Sequence, residues 1–351
     1  MYSFVTLILT TLLLVGCSGK KIVETETKST EVIVPQELVK TFEVQEYKSA
    51  ESVTISKESE KKTNMKKEKK VSKKIEKKGI AGLNRRPVSD PLWVGETIWM
   101  DVSWLKTRAG EFQLEVLPFK SINGKKVYNI RGTARNADFF SFIYKAVDTV
   151  ESFVDFDGWF PYKFTLVGDE TRWKRNYIEL YDHASKKQYV HVINQRVKTG
   201  EVDEEKGYKD LTPLSQDSIS ALYYVRTQNL EIGNVIKFPM TTNGRVWDTE
   251  IHVVNREEID TKMGKMKAIK TKILTYFNGN LEQKGDAFMW FSDDARRYPL
   301  KFEAKVKIGW VAGTAKKIEP GTPPEQTTST QTLESESMQI PVQTKVSSIH
   351  K

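Results

Sequence analysis

The chain has 351 residues, a net charge of +9 and a single cysteine, Cys17, so no disulfide can form within it. The stretch 61–78, from Lys61 to Lys78, holds ten Lys and two Glu, a net of +8, and so carries nearly all of that charge. A basic balance confined to one stretch, with no aromatic residue interleaved to stack on bases, argues against nucleic acid as a partner.

The chain opens MYSFVTLILTTLLLVGC. The apolar run from Phe4 to Val15 is too short to span a ~30 Å hydrocarbon core as a helix but has the length of a signal-peptide h-region. It closes on Leu14-Val15-Gly16-Cys17, which resembles a bacterial lipobox. The resemblance implies removal of residues 1–16 and acylation of Cys17. The n-region departs from the pattern in lacking Lys and Arg, and a chance cysteine is the alternative. Two or three acyl chains hold a protein on a membrane where one is marginal. Ser18, following the lipidated position, resembles the outer-membrane address of sorted lipoproteins in a Gram-negative envelope. The expectation is a lipid-anchored envelope protein on the periplasmic side of the outer membrane.

Residues 17–79 show no sustained period of 2 or 3.6, and Lys, Glu, Ser, Thr and Val dominate them. They read as the lipidated Cys17 followed by a disordered tether. Its Lys61-to-Lys78 block suits an anionic headgroup surface or an acidic cell-wall polymer, and equally suits a solvated spacer.

The β domain is expected over 80–312. All eight Trp lie between Trp93 and Trp310. In ETIWMDVSW, Ile98, Met100, Val102 and Trp104 alternate with Trp99, Asp101 and Ser103, and EFQLEVLP continues as the return strand of a hairpin. Strand patterns follow at 127–135, 146–155, 159–167, 173–182 and 188–197, while 198–209 reads as a polar mobile loop. The one helix is expected over 211–226, with Ser215 as its cap and Asp217 in its first turn. Ile219, Leu222 and Tyr223 give it one apolar face. Five more strands follow from Val235 onward. The expected fold is mainly β: a curved antiparallel sheet or an open or closed β-barrel, with one short helix packed in or against it. Residues 313–351 read as a disordered Ser/Thr/Gln/Pro-rich tail.

Several residues recur in a known order: Gly95-Glu96; Trp104 and Gly110; Asp148, Ser152 and Asp155; the helix run from Asp217 to Arg226, DSISALYYVR; Gly264; and WFSDDARRYPL from Trp290 to Leu300. Over about 92–312 the chain resembles the exported bacterial family known as domain of unknown function 3108. The resemblance implies a mostly β exported domain and no assigned reaction.

Chemistry is sparse. His183, His191 and His252 lack the spacing of a metal helix, no phosphate-cradling or nucleophile-elbow motif is present, and a thiol nucleophile is missing from the domain. The expectation is a non-enzyme with no cofactor and no metal. The polar candidates are Asp217 and Arg226, at opposite ends of the helix, and Asp293, Asp294 and Arg296. These read either as a carboxylate pair with an Arg clamp or as a tight turn with a cross-sheet ion pair. Trp99, Trp104, Phe140, Tyr223 and Trp290 are the candidate lining of a site for a lipid, acyl chain or other amphiphile, and they also suit plain core packing. The alternatives to a binding module are a scaffolding lipoprotein that contacts cell wall or envelope protein partners, and a hydrolase of envelope glycan or lipid.

Overall fold

Apolar and polar residues alternate from one turn to the next, and the result is a long antiparallel meander. In the computed structural model, residues 31–48, 83–87, 89–137, 145–282, 286–306 and 308–323 are described. A short helix, Gln36–Thr41, and strand β1 (Val44–Glu46) come first. Then follow β2 (Val94–Trp104), β3 (Thr107–Ile122), β4 (Lys125–Asn136), β5 (Ala146–Asp155), β6 (Pro161–Glu170), β7 (Trp173–Asp182), β8 (Lys187–Arg196) and β9 (Val202–Asp210). The central helix, Ser218–Arg226, leads into β10 (Val235–Thr242), β11 (Arg245–Thr261), β12 (Gly264–Phe277), β13 (Asn280–Leu281), β14 (Ala287–Ser292), β15 (Pro299–Lys305) and β16 (Trp310–Thr322). One sheet contains all the strands, ordered β10-β11-β12-β14-β15-β16-β2-β3-β4-β5-β6-β7-β8-β9, with β1 on β3 and β13 on β12.

The chain is thus mainly β with a helix against a curved sheet, as expected, and the sheet is not closed. Its end strands, β9 and β10, share no ladder. Side chains bridge the seam instead. Thr241 Oγ1 donates to Gln188 Oε1 at 2.8 Å, and the Asn243 amide donates to Glu179 Oε1 at 2.9 Å. The outer edge of β10 is covered by the chain leading into the helix, where the Gln216 amide donates to Pro239 O at 2.9 Å and the Thr241 amide to Gln216 O at 2.8 Å. Every strand from β2 to β6 turns one row inward, with Met100, Leu114, Ile130, Val150 and Leu166 packing into the same core as Ile219, Tyr223 and Val225 of the helix.

Three expectations are corrected. Residues 31–48 fall within the expected disordered tether but fold onto the outer face of β4–β8. There Phe42 is buried with Val127, Phe153 and Leu180, and Val32, Val34 and Leu38 pack alongside. The expected loop at 198–209 is largely strand β9. It is an edge strand with charge on both faces, so it shows no apolar period. The expected tail beginning at 313 is folded through β16 to Thr322, although Pro320 and Gly321 read as a turn. From Ala315 onward β16 pairs with β2 alone, and an edge position tolerates the missing N–H of Pro320. Cys17, Phe140 and the Lys61-to-Lys78 block lie outside the described residues.

At the end of β16, Gly321 has φ +73°, and a Cβ there would lie 2.5 Å from the Glu96 amide nitrogen and 2.6 Å from Val94 O. Gly279 has φ +79° and open space around it. Gly279→Ala should therefore cost only the left-handed backbone penalty of about 1–2 kcal/mol, and Gly321→Ala at least ~1 kcal/mol more. Denaturant midpoints of the two variants test the difference. Equal losses would mean that β16 does not lie against the start of β2 in this way.

Candidate functional site

Glu96 begins the inward row of β2 and is fully buried, as is Arg226 in the last turn of the central helix. Arg226 Nη1 donates to Glu96 Oε1 at 2.6 Å and Nη2 to Oε2 at 2.8 Å, a fork-on-carboxylate pair. Its remaining donors reach main-chain oxygens: Nη2 meets Pro91 O at 3.0 Å and Arg296 O at 2.9 Å, and Nε meets Arg296 O at 3.2 Å. Arg296 approaches the same carboxylate. Its Nη2 lies 2.7 Å from Glu96 Oε2 and 2.8 Å from Pro320 O, its Nε lies 2.9 Å from Pro91 O, and its guanidinium sits 3.7 Å over the Trp93 ring. Burial works against the Arg226 charge, but the Glu96 carboxylate outweighs it and raises the guanidinium pKa. One buried carboxylate thereby ties together the helix, the start of β2, the β14–β15 turn and the end of β16.

The other end of the helix is held as firmly. Asp217, not Ser215, is the N-cap: its Oδ1 accepts the Ile219 amide at 2.9 Å and the Ser220 amide at 2.7 Å, and Ser220 Oγ accepts the Asp217 amide at 2.8 Å. This is a capping box with Ser in the third position. Ser215 Oγ is instead spent on Thr212 O at 2.7 Å, so the helix starts later than the apolar pattern predicts. Asp217 Oδ2 accepts Ser152 Oγ of β5 at 2.5 Å, which fixes the cap to the sheet. Burial raises the Asp217 carboxyl to about 6 against the hydrogen bonds it accepts. Burial likewise raises Glu179 to about 7, and the nearby Asp217 charge adds to the rise. His183 is driven the other way, to about 4, by burial. Its Nδ1 accepts the Leu214 amide at 3.0 Å, which leaves Nε2 to donate to Pro161 O at 2.7 Å.

Between the helix and the strands β11, β12 and β14 lies a cavity of about 60 Å³. Small residues on both sides leave the gap: Ser218 and Ala221 on the helix face Thr249 and Thr271 on the sheet, and Phe112, Leu222, Ile251 and Met289 complete the wall. Thr271 Oγ1 donates to Met289 O at 3.0 Å, whereas Thr249 Oγ1 is buried without a hydrogen-bond partner. The half-buried Ser218 and Leu222 form its more open side. On the outer face, Gln113, Thr133, Thr149 and Arg131 line a polar hollow of about 520 Å³. Arg131 is already paired there, through two N–H groups at 2.6 and 2.8 Å, with Glu151 Oε1. Among the described residues, no cluster of three His, Cys, Asp or Glu could hold a metal ion, and no helix is long and apolar enough to cross a membrane.

None of the expected site residues among the described ones lines the cavity. Trp99 is on the outer face with Lys317 4.6 Å over its ring, and Trp104 ends β2 at 42% exposure with its indole N–H on Ile308 O. Trp290 is buried, its indole N–H donating to Glu257 Oε1 at 2.6 Å, with the Lys270 and Lys301 ammonium groups 5.0 and 4.7 Å from its ring centroid. Tyr223 is buried in the core, 5.0 Å from the Arg226 guanidinium, and does not line the cavity. In the polar set, Arg226 and Arg296 meet on Glu96, and Asp217 is a cap. Asp294 Oδ1 accepts the Arg296 amide at 2.8 Å and the Arg297 amide at 2.9 Å, and Asp293 pairs with Arg256 at 3.2 Å. This is the tight-turn arrangement rather than a carboxylate pair in a cleft. The sequence reading missed Thr249, Glu179 and the role of Glu96; only Glu96 had a signal, as part of the recurring Gly95-Glu96 pair.

Removing one side of the buried ion pair should be costly. Arg226→Met leaves the Glu96 charge facing only Arg296 and should lose about 3–5 kcal/mol. Glu96→Leu combined with Arg226→Met should recover part of that loss in a double-mutant cycle, and additive losses would contradict the coupling. The Glu179 carboxyl titrates higher in the fold than the ordinary value of 4.5, so protonation stabilises the fold. That contribution is full below about pH 4.5 and is lost as pH rises through about 7. Asp217 acts in the same direction, and His183 opposes both as pH falls from 6.5 toward 4. Comparison with Glu179→Gln isolates the one group: the variant should melt above the wild type at pH 8 and lose that advantage by pH 4.5. A pH-independent gap between the two melting curves would contradict the assignment.

The profile of a family described as protein of unknown function (DUF3108) matches residues 100–316. No curated protein matches the chain. Among solved structures, it is similar to a beta-barrel-like protein of domain of unknown function DUF1849 from Brucella abortus, at 13% identity and a TM-score of 0.41, covering 65% of this chain and 98% of that one. A second, described as a "putative lipoprotein" from Parabacteroides distasonis, has 9% identity and a TM-score of 0.29, covering 67% of this chain and 99% of that one. The profile spans most of the β domain and includes the helix and the Asp293–Arg296 turn, and the chain belongs to the DUF3108 family.

Proposed function

We propose that this chain is a non-catalytic envelope lipoprotein, held at the periplasmic face of the outer membrane by acylated Cys17, whose β domain takes the apolar end of an amphiphile beside the central helix. The observation that carries the proposal is the cavity next to that helix: its wall is apolar except for Ser218, Thr249 and Thr271, and the hydroxyl of Thr249 is unpaired. Ligand sites combine an apolar lining with a few polar groups that fix orientation, and Thr249 supplies one such group. The volume limits the ligand. At about 60 Å³ it is well below the roughly 300–1,000 Å³ of sites that enclose a drug-sized ligand, so the site accepts a chain end rather than a whole lipid. The absence of a reaction is part of the proposal, supported by the use of Asp217, Asp294, Arg226 and Arg296 in caps, turns and ion pairs.

A rigid scaffold is the second reading, favoured by a helix pinned at both ends. One experiment separates the two. Ala221→Leu adds three carbons at the cavity wall, and native mass spectrometry with organic extraction is applied to this variant and to the wild type, both purified from a bacterial envelope. The binding reading predicts a defined extracted amphiphile with the wild type and severalfold less with Ala221→Leu. Two equally stable, empty proteins would leave the scaffold reading in its place.

A further inference from the structure

The organisation of the N-terminal segment assigns it a task. Residues 31–48 dock on the outer face through a three-residue ladder, Val44–Glu46 of β1 against Lys120–Ile122 of β3, and through the burial of Phe42. Its beginning is fixed on β8: the Ile33 amide donates to His191 Nδ1 at 2.8 Å, and Tyr189 Oη donates to Ile33 O at 2.9 Å. Glu204 Oε1 holds His191 from the other side, at 3.0 Å from Nε2, and Tyr208 Oη donates to Glu37 Oε1 at 2.8 Å. The chain is thus gripped first at residues 31–48 and again from residue 83, and the Lys61-to-Lys78 block falls between the two gripped segments.

We infer that residues 31–48 are a docking strap that shortens the leash from the lipid, so that the β8–β9 side of the sheet lies next to the membrane surface. The inference rests on the acylation of Cys17 proposed above. Without the strap, the leash would run from Cys17 to residue 83, which at full extension could reach about 230 Å. With the strap it ends at residue 31, and even fully extended it reaches no more than about 50 Å. The strap also bears on the Lys-rich block. The block is not part of the spacer between lipid and domain, so its length does not set the domain's height.

The test uses the full acylated chain in vesicles of phosphatidylethanolamine and phosphatidylglycerol carrying an acceptor dye on the headgroups. Cys17 is the only cysteine and is blocked by the lipid, so Lys206→Cys on β9 gives a unique thiol for a donor dye. Lys317→Cys on β16, with seven strands between it and β9 in the sheet, serves as the distant reference. About thirty Gly/Ser residues are inserted either before the strap, between residues 25 and 26, or after it, between residues 65 and 66. Both insertions lie outside the described residues. The strap predicts stronger transfer from position 206 than from 317, a fall of about half or more on insertion before the strap, and no change on insertion after it. Equal losses from the two insertions, with vesicle binding intact, would overturn the strap. Wild-type protein that fails to float with vesicles, as Cys17→Ser should, would overturn the lipid anchor and this inference with it.

Discussion

The carboxylate of Glu96 is the constraint on which the fold turns. It has no access to water, and a bare charge in that position would cost several kcal/mol. Two guanidiniums satisfy it, and they arrive from residues 130 and 200 positions away in the chain. Satisfying Glu96 therefore requires the central helix, the β14–β15 turn and the β2–β16 pair to be in register at once. Buried ion pairs add little net stability compared with apolar replacements, and their better-attested use is to fix one arrangement among several. That use fits this sheet. A long meander without a closing ladder has few other devices to fix where its helix lies, and the side-chain bridges at Gln188 and Glu179 add the rest.

The residues that carry the resemblance in the sequence are also the residues that build this arrangement. Gly95-Glu96, the DSISALYYVR helix and the Asp294–Arg296 turn form one ionic knot and one capping box, and Ser152 joins the cap to the sheet. A recurring set of charged residues invites a catalytic reading, but here each charge already has its structural partner. The cavity beside the helix has a different origin, in small side chains on two facing surfaces. The knot and the cap fix the two ends of the helix that forms one of those surfaces.

The sequence disclosed what short-range physics controls. The β2–β3 hairpin could be read from its alternation, the helix from its apolar face, and the β14–β15 turn from its Asp and Arg. Long-range pairings stayed hidden. Nothing near Phe42 signals that it packs against Phe153 and Leu180, because that surface is assembled from strands far away in the chain. Aromatic residues were poor guides to the cavity: Trp99 and Trp290 lie outside it with lysine ammonium groups over their rings, while the cavity is lined by Ala221, Ser218 and Thr249, which carry no individual signal. Strand β9 was masked by its charge, which an edge strand needs.

Hydrogen exchange at the central helix gives the most direct test of the account. If Glu96 and the Asp217 cap lock the helix, amides 221–226 should exchange only through global unfolding, with the same protection free energy as the core amides of β4 and β14. Protection well below that of those strands would show a helix that opens on its own, and would contradict the claim that the buried knot fixes it over the cavity.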